Sequence, residues 1–161
     1  MDFTSAEQLK KYLLSHGEIA IKASQEKVFQ IIERHLKQFY DEFDPSVYER
    51  TNQLLKSLVK SEIKQIGNEI VAEVYFDLDK LDYSIKYLNG AFYKNTFHRE
   101  PWDKDNDAWV LENAMIGTYP HGGYSYATGN TRIWIESMAE LTNKMYNILK
   151  KELTLAGIPI K

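Results

Sequence analysis

Two different periods organise the polar and apolar positions of this chain. Val28, Ile32, Leu36, Phe39 and Phe43 recur at spacings of four, four, three and four, which puts them on one face of a helix. The pattern predicts a long helix over about 18–43, ended at Asp44-Pro45 because the proline ring disfavours helical geometry in the residue before it. A shorter helix over 5–15 is predicted ahead of it, opened by Thr4 and Glu7 as a capping box and stopped at Gly17. Near the other end, Trp134, Met138, Leu141, Met145, Leu149, Leu153 and Ala156 fall on one helical stripe. They predict a closing helix over 132–156 with Thr131 as its cap, Gly157 as its stop and Pro159 beyond it.

Between the helices the period shortens to two. Val59, Ser61, Ile63 and Gln65 alternate, Gly67-Asn68 signals a tight turn, and Ile70, Ala72, Val74 and Phe76 alternate again, so a β-hairpin is expected over about 59–76. Upstream, the segment from Ser46 to Leu58 has the composition for one or two helical turns. Downstream, Asp77–Asp82 reads as a polar loop, and the aromatic stretch Tyr83–Phe97 as a further strand interrupted at Asn89-Gly90. His98–Asp107 reads as a mobile polar loop, and Ala108–Ile116 suits either period. Gly117–Thr131, with four glycines, three tyrosines and no Asp, Glu, Lys or Arg, reads as a long loop or glycine-rich turn pair. Two long amphipathic helices packed on a small, mainly antiparallel sheet define an α+β class, in a single domain over 1–161.

Composition narrows the chemistry. The chain has 161 residues, 43% apolar, enough to bury one core, and its 20 basic against 23 acidic residues supply no overall cationic field for nucleic acid or anionic lipid. There is no cysteine, hence no disulfide, thiol nucleophile or Cys-based zinc site. Neither an amino-terminal targeting segment nor an apolar run long enough for a bilayer is evident, so a soluble protein made in the cytosol is expected. Charge is uneven: residues 65–112 hold ten acids and five bases, whereas 132–161 hold five bases and three acids. Such polarity suits head-to-tail contacts between copies.

No catalytic constellation stands out. Asp103, Asp105 and Asp107 have the spacing of the first three ligands of a calcium loop, but Ala108 stands where the sharp turn needs glycine and Ala114 where a bidentate glutamate is needed. A solvated acidic loop is the simpler reading. His16 and His35 accompany the helices, and His98 and His121 lie in expected loops without a metal-binding or triad pattern around them. The Gly117–Gly123 segment lacks the Gly-Lys-Ser/Thr ending of a phosphate-binding loop. Its tyrosines instead have the composition of a contact surface, so Tyr119, Tyr124 and Tyr126, with Trp102, are the candidate interface residues. Neither a cofactor nor a metal is expected.

The order of segments resembles the tail-completion, or head-to-tail joining, proteins of long-tailed bacteriophages and prophages. Proline at 45 and Thr51-Asn52-Gln53-Leu54-Leu55-Lys56-Ser57-Leu58 lead from a long helix into a hairpin, followed by Glu112, Gly117-Thr118 and a closing helix. In that family a Thr-Gly-x-Leu-x-x-Ser-Ile segment leads into the sheet; here Asn52 replaces the glycine. Glu112 lies five residues before Gly117, farther than usual for the family, and 98–107 has the look of an insertion. The resemblance covers about 18–156 and implies a structural role without turnover: ring-like self-association and docking to other neck or tail proteins in the virion, after assembly in the bacterial cytoplasm. It carries over no catalytic residues and implies no membrane. An acidic segment over 77–107, including Asp103, Asp105 and Asp107, would line a lumen through which DNA passes.

Two other classes compete. One is a small metal-dependent hydrolase of a mobile element, using Asp103, Asp105, His98 and Glu112. The other is an accessory protein that binds a host factor through the tyrosine loop.

Overall fold

A computed structural model describes residues 3–41, 48–49, 52–80, 85–87, 92–93 and 133–160. The elements, in order, are α1 (Ala6–Asp41), β1 (Tyr48–Glu49), α2 (Gln53–Ser57), β2 (Leu58–Lys60), β3 (Lys64–Ile66), β4 (Glu69–Val71), β5 (Val74–Phe76), a 3-10 turn (Leu78–Lys80), β6 (Ile85–Tyr87), β7 (Phe92–Tyr93) and α3 (Ile133–Leu155). The class is α+β, with small antiparallel sheets. The chain divides into two compact units. One comprises Met1–Ile31, Lys60–Tyr75 and Glu140–Lys161; the other comprises Ile32–Val59 and Phe76–Ala139.

In the first unit, the two helices expected on either side of Gly17 are one. α1 runs unbroken from Ala6, and Gly17 is a buried interior residue whose Cβ, if present, would stand 2.9 Å from Ile70 Cδ1 of β4. The glycine answers a close approach of hairpin to helix, not a stop. The cap is also displaced by one residue. Ser5 Oγ accepts the Gln8 N–H at 3.2 Å, and Gln8 Oε1 accepts both the Thr4 N–H at 3.1 Å and the Thr4 hydroxyl at 2.6 Å. Ser5 thus caps in place of Thr4, while the Gln8 side chain reaches back to Thr4, one residue before the cap, where Glu7 was expected to close a capping box.

The hairpin forms around Gly67-Asn68. β3 and β4 pair as Lys64↔Val71, Gln65↔Ile70 and Ile66↔Glu69, leaving a two-residue loop. Gly67 has φ 64°, and no positive φ falls on Asn68, the pattern of a type II′ turn. Farther along, the Ser61 N–H donates to Glu73 O at 2.9 Å. Two residues, Glu62 and Ile63, therefore oppose Ala72 alone, which is a β-bulge. It splits the expected continuous strand 59–65 into β2 and β3.

α3 ends in a Schellman motif: the Gly157 N–H donates to Thr154 O at 3.0 Å and the Ile158 N–H to Leu153 O at 2.8 Å, with Gly157 at φ 92°. The stop expected at Gly157 is confirmed.

In the second unit, β1, β6 and β7 form an antiparallel sheet in the order β1-β6-β7, with Tyr48↔Tyr87 and Ile85↔Tyr93 among the register pairs. The aromatic stretch 83–97 thus contributes two strands. Residues 48–49, expected in a helical turn, form a strand, while the helical turn itself is α2. Asn52 caps α2 with φ 55° and ψ 25°, and its carbonyl accepts the Lys56 N–H at 3.0 Å. Left-handed backbone favours glycine first and asparagine next, so Asn52 can take the place of a glycine there. Ser57 Oγ donates to Leu54 O at 2.8 Å, and the Asp77 N–H to Ser57 O at 2.7 Å.

Core burial is sparse. Among the described residues, Ala20 in the first unit and Ile32, Leu36 and Leu58 in the second are the buried apolar side chains. Ile32 and Leu36 are members of the predicted stripe and Val28 is half-buried, while Phe43 lies outside the described residues. On α3 the inward position at the start of the helix is Ser137, fully buried, whereas Met138 of the predicted stripe is 41% exposed.

Candidate interaction surface

The residues singled out from the sequence as interface or acidic-loop candidates, namely Trp102, Tyr119, Tyr124, Tyr126, Asp103, Asp105 and Asp107, lie outside the described residues, as do His98, Glu112 and His121. The two described histidines have structural partners. The His16 ring packs against Tyr12 with centroids 3.9 Å apart, and its Nδ1 lies 2.9 Å from Tyr12 O. His35, in the second unit, is nearly buried, with Nδ1 3.8 Å from Glu136 Oε2. Among the described residues no three His, Asp or Glu side chains converge as a metal site would require.

What the first unit does build is a polar node where α1 meets the bulge. Gln25 is 8% exposed, and its Nε2 donates to Ser61 O at 3.0 Å and to Glu73 O at 2.9 Å. Ser61 Oγ accepts the Glu73 N–H at 2.9 Å and donates to Glu62 O at 2.9 Å. A bulge disrupts the ladder locally, and here one helix side chain and one strand hydroxyl satisfy the backbone groups it sets apart. Beside it on α1, Lys60 Nζ contacts Oε2 of the next residue, Glu26, and stands 4.9 Å above the ring of Phe29, one turn on. The hydrogen bond from Lys60 holds the Glu26 carboxyl below the usual carboxylate range, against a smaller opposing effect of burial. These contacts fix the hairpin on the helix. The sequence signals them only as Gln and Ser at positions where an apolar pattern would prefer otherwise.

The hairpin so fixed has an inner and an outer face. Ile70 points at Gly17, so the opposite face of the ladder, carrying Ile66, Glu69 and Val71, points away from α1. Ile66 is 61% exposed and Tyr75 48%. α3 is also thinly covered: of its side chains from Ile135 to Leu155, Ser137 alone is buried, and Tyr146 and Leu155 are 65% and 70% exposed. No described helix is long and apolar enough to cross a membrane.

These features define a small α+β protein with a sparse buried core and much large apolar surface left open. The chain belongs to the YomN family, whose model matches residues 5–155. That family name is of a Bacillus prophage protein of the SPBeta type and points to phage derivation. No curated protein and no solved structure matches the chain.

Proposed function

We propose that this protein is a non-enzymatic structural component of a phage or prophage particle, joining head to tail or completing the tail. It would act by ring-like self-association and by docking to neighbouring neck or tail proteins. The observation that carries this reading is the state of α3, an amphipathic helix with no apolar side chain buried among those described. Apolar surface on this scale is ordinarily closed by another protein surface. Phage derivation supplies the setting, and the segment order from Pro45 through Gly117-Thr118 to the closing helix supports the head–tail position.

The test is particle composition. Particles induced from a lysogen and purified on a density gradient should contain the protein in a fixed ratio to the major capsid protein, and antibody labelling should fall at the neck or tail. Deleting it should leave filled heads and tails unjoined. Particles free of the protein, with infectivity intact in the deletion, would sink the reading. Within it, the acidic segment 77–107 lines the DNA path. Changing Asp103, Asp105 and Asp107 to lysine should then slow DNA delivery while assembly proceeds.

A further inference from the structure

We infer that the outer face of the hairpin is a docking surface for the basic face of α3 of a second copy of this chain. The inference rests on the self-association proposed above and names its two surfaces. Along the strand from Glu69 to Tyr75, period-two alternation puts Glu69, Glu73 and Tyr75 on the face turned away from α1, and all three are exposed. Neither glutamate has an ion-pair partner among the described residues. Strand geometry places Glu69 and Glu73 about 13 Å apart and Glu73 and Tyr75 about 7 Å apart.

α3 carries the complementary row. Lys144, Lys151 and Leu155 stand at i, i+7 and i+11, hence on one side of the helix, and all three are exposed. Helix geometry separates the two lysines by about 10 Å along the axis and Lys151 from Leu155 by about 6 Å. Acid, acid and aromatic along the strand thus face base, base and aliphatic along the helix, in the same order and at similar steps. Lys144 pairs with the largely covered Glu140 at 2.7 Å, but its own side chain is 57% exposed and remains open to a second, intermolecular carboxylate. Ile66 at 61% and Leu155 at 70% exposure supply apolar area at the two surfaces. Lys64, on the hairpin's outer face, reduces its acidity without reversing it. Both rows belong to the same compact unit, and they differ from one another. The contact is therefore heterologous, and it adds copies until a ring closes.

The experiment uses the full chain in sedimentation velocity across a concentration series. The unchanged protein should assemble beyond a dimer. The pair Glu69→Lys with Glu73→Lys, and separately Lys144→Glu with Lys151→Glu, should each weaken assembly by at least about tenfold, since like charges would then face each other. Circular dichroism melts should show both variants folded. Mixed in equal amounts, the two variants should assemble in alternation beyond a dimer, because both contacts between unlike chains again pair opposite charges. All four changes in one chain should restore assembly. Charge-reversed variants that assemble as well as the unchanged protein would overturn the surface while leaving the self-association proposed above standing. A monomer at every concentration would overturn the inference too, and the structural role would then be decided by particle composition.

Discussion

The hydroxyl of Tyr12, near the start of α1, donates a hydrogen bond to the carbonyl of Gly157 at 2.7 Å, tying the first helix to the cap of the last across 145 positions of sequence. The bond depends on the backbone turn that the Schellman motif makes. Gly157 adopts φ 92°, and a Cβ there would stand 2.9 Å from the same Tyr12 oxygen. Gly157→Ala should therefore break the cap and the tie together, costing about 1–3 kcal/mol. Tyr12→Phe removes only the hydrogen bond and should cost about 0.5–1.5 kcal/mol. Urea unfolding of the two variants checks both the order and the size.

Gly17 presents a contest between two opposing terms. An interior helical glycine costs about 1 kcal/mol relative to alanine, so Gly17→Ala would ordinarily stabilise. Here the new methyl meets Ile70 Cδ1 at 2.9 Å, and the clash offsets the gain. Ile70→Val removes that carbon. The double variant should then show Gly17→Ala as more favourable in the valine background than alone, a coupling that a thermodynamic cycle reads directly. Gly17→Leu, too large to be accommodated by a shift of one methyl, should destabilise strongly in both backgrounds.

Gly17 also shows where sequence reasoning reaches its limit. A glycine between two helical patterns is locally a stop signal, and only the position of Ile70, more than fifty residues away, turns it into a packing requirement. The hairpin was legible because its signal is local: period two on both sides of Gly67-Asn68. Gly157 was legible for the same reason. The bulge at Glu62 and Ile63 was not, because alternation in sequence continues through it and the shift exists only in the pairing. The outward turn of Met138 likewise follows from tertiary placement: Ser137 takes the buried position, where an apolar count would never put it. The site residues chosen from composition were loop aromatics and aspartates. Gln25, Ser61 and Glu73 escaped that search since their roles come from backbone carbonyls and amides that no residue type advertises.

Gln25 should be among the most sensitive positions of the first unit. Its amide donates twice, and replacing it with leucine leaves the Ser61 and Glu73 carbonyls without those donors. The expected loss is about 2–3 kcal/mol, counting two hydrogen bonds. Gln25→Glu tests the chemistry of the node more closely. A carboxylate facing two carbonyl oxygens is disfavoured, so the folded state raises the pKa of the introduced acid above its unfolded value of about 4.3. Stability of this variant, relative to the parent, should fall as pH rises above that unfolded value. Protonation at lower pH restores a donor. Parallel urea titrations at several pH values would show it, and a pH-independent difference would contradict the assignment of Gln25 as donor.

The pair of Lys60 and Glu26 should set a pH dependence of opposite sign. The hydrogen bond from Lys60 lowers the Glu26 pKa in the folded protein, so its stabilising effect is fully present above the unfolded value of about 4.3 and is lost as pH falls through the lowered folded value. The Glu26 side chain is 44% exposed and that of Lys60 38%, so solvent screening keeps the contribution below about 1 kcal/mol. Lys60→Met separates the charge from the rest of the contact. The methionine still covers Phe29, over which the ammonium stands at 4.9 Å, but cannot donate to the carboxylate. The variant should lose a few tenths of a kcal/mol near neutral pH and show a shallower decline in stability on acidification than the parent. If the two acid limbs run parallel, the carboxylate draws its lowered pKa from some other group, and the contact between hairpin and helix at this point is apolar in origin.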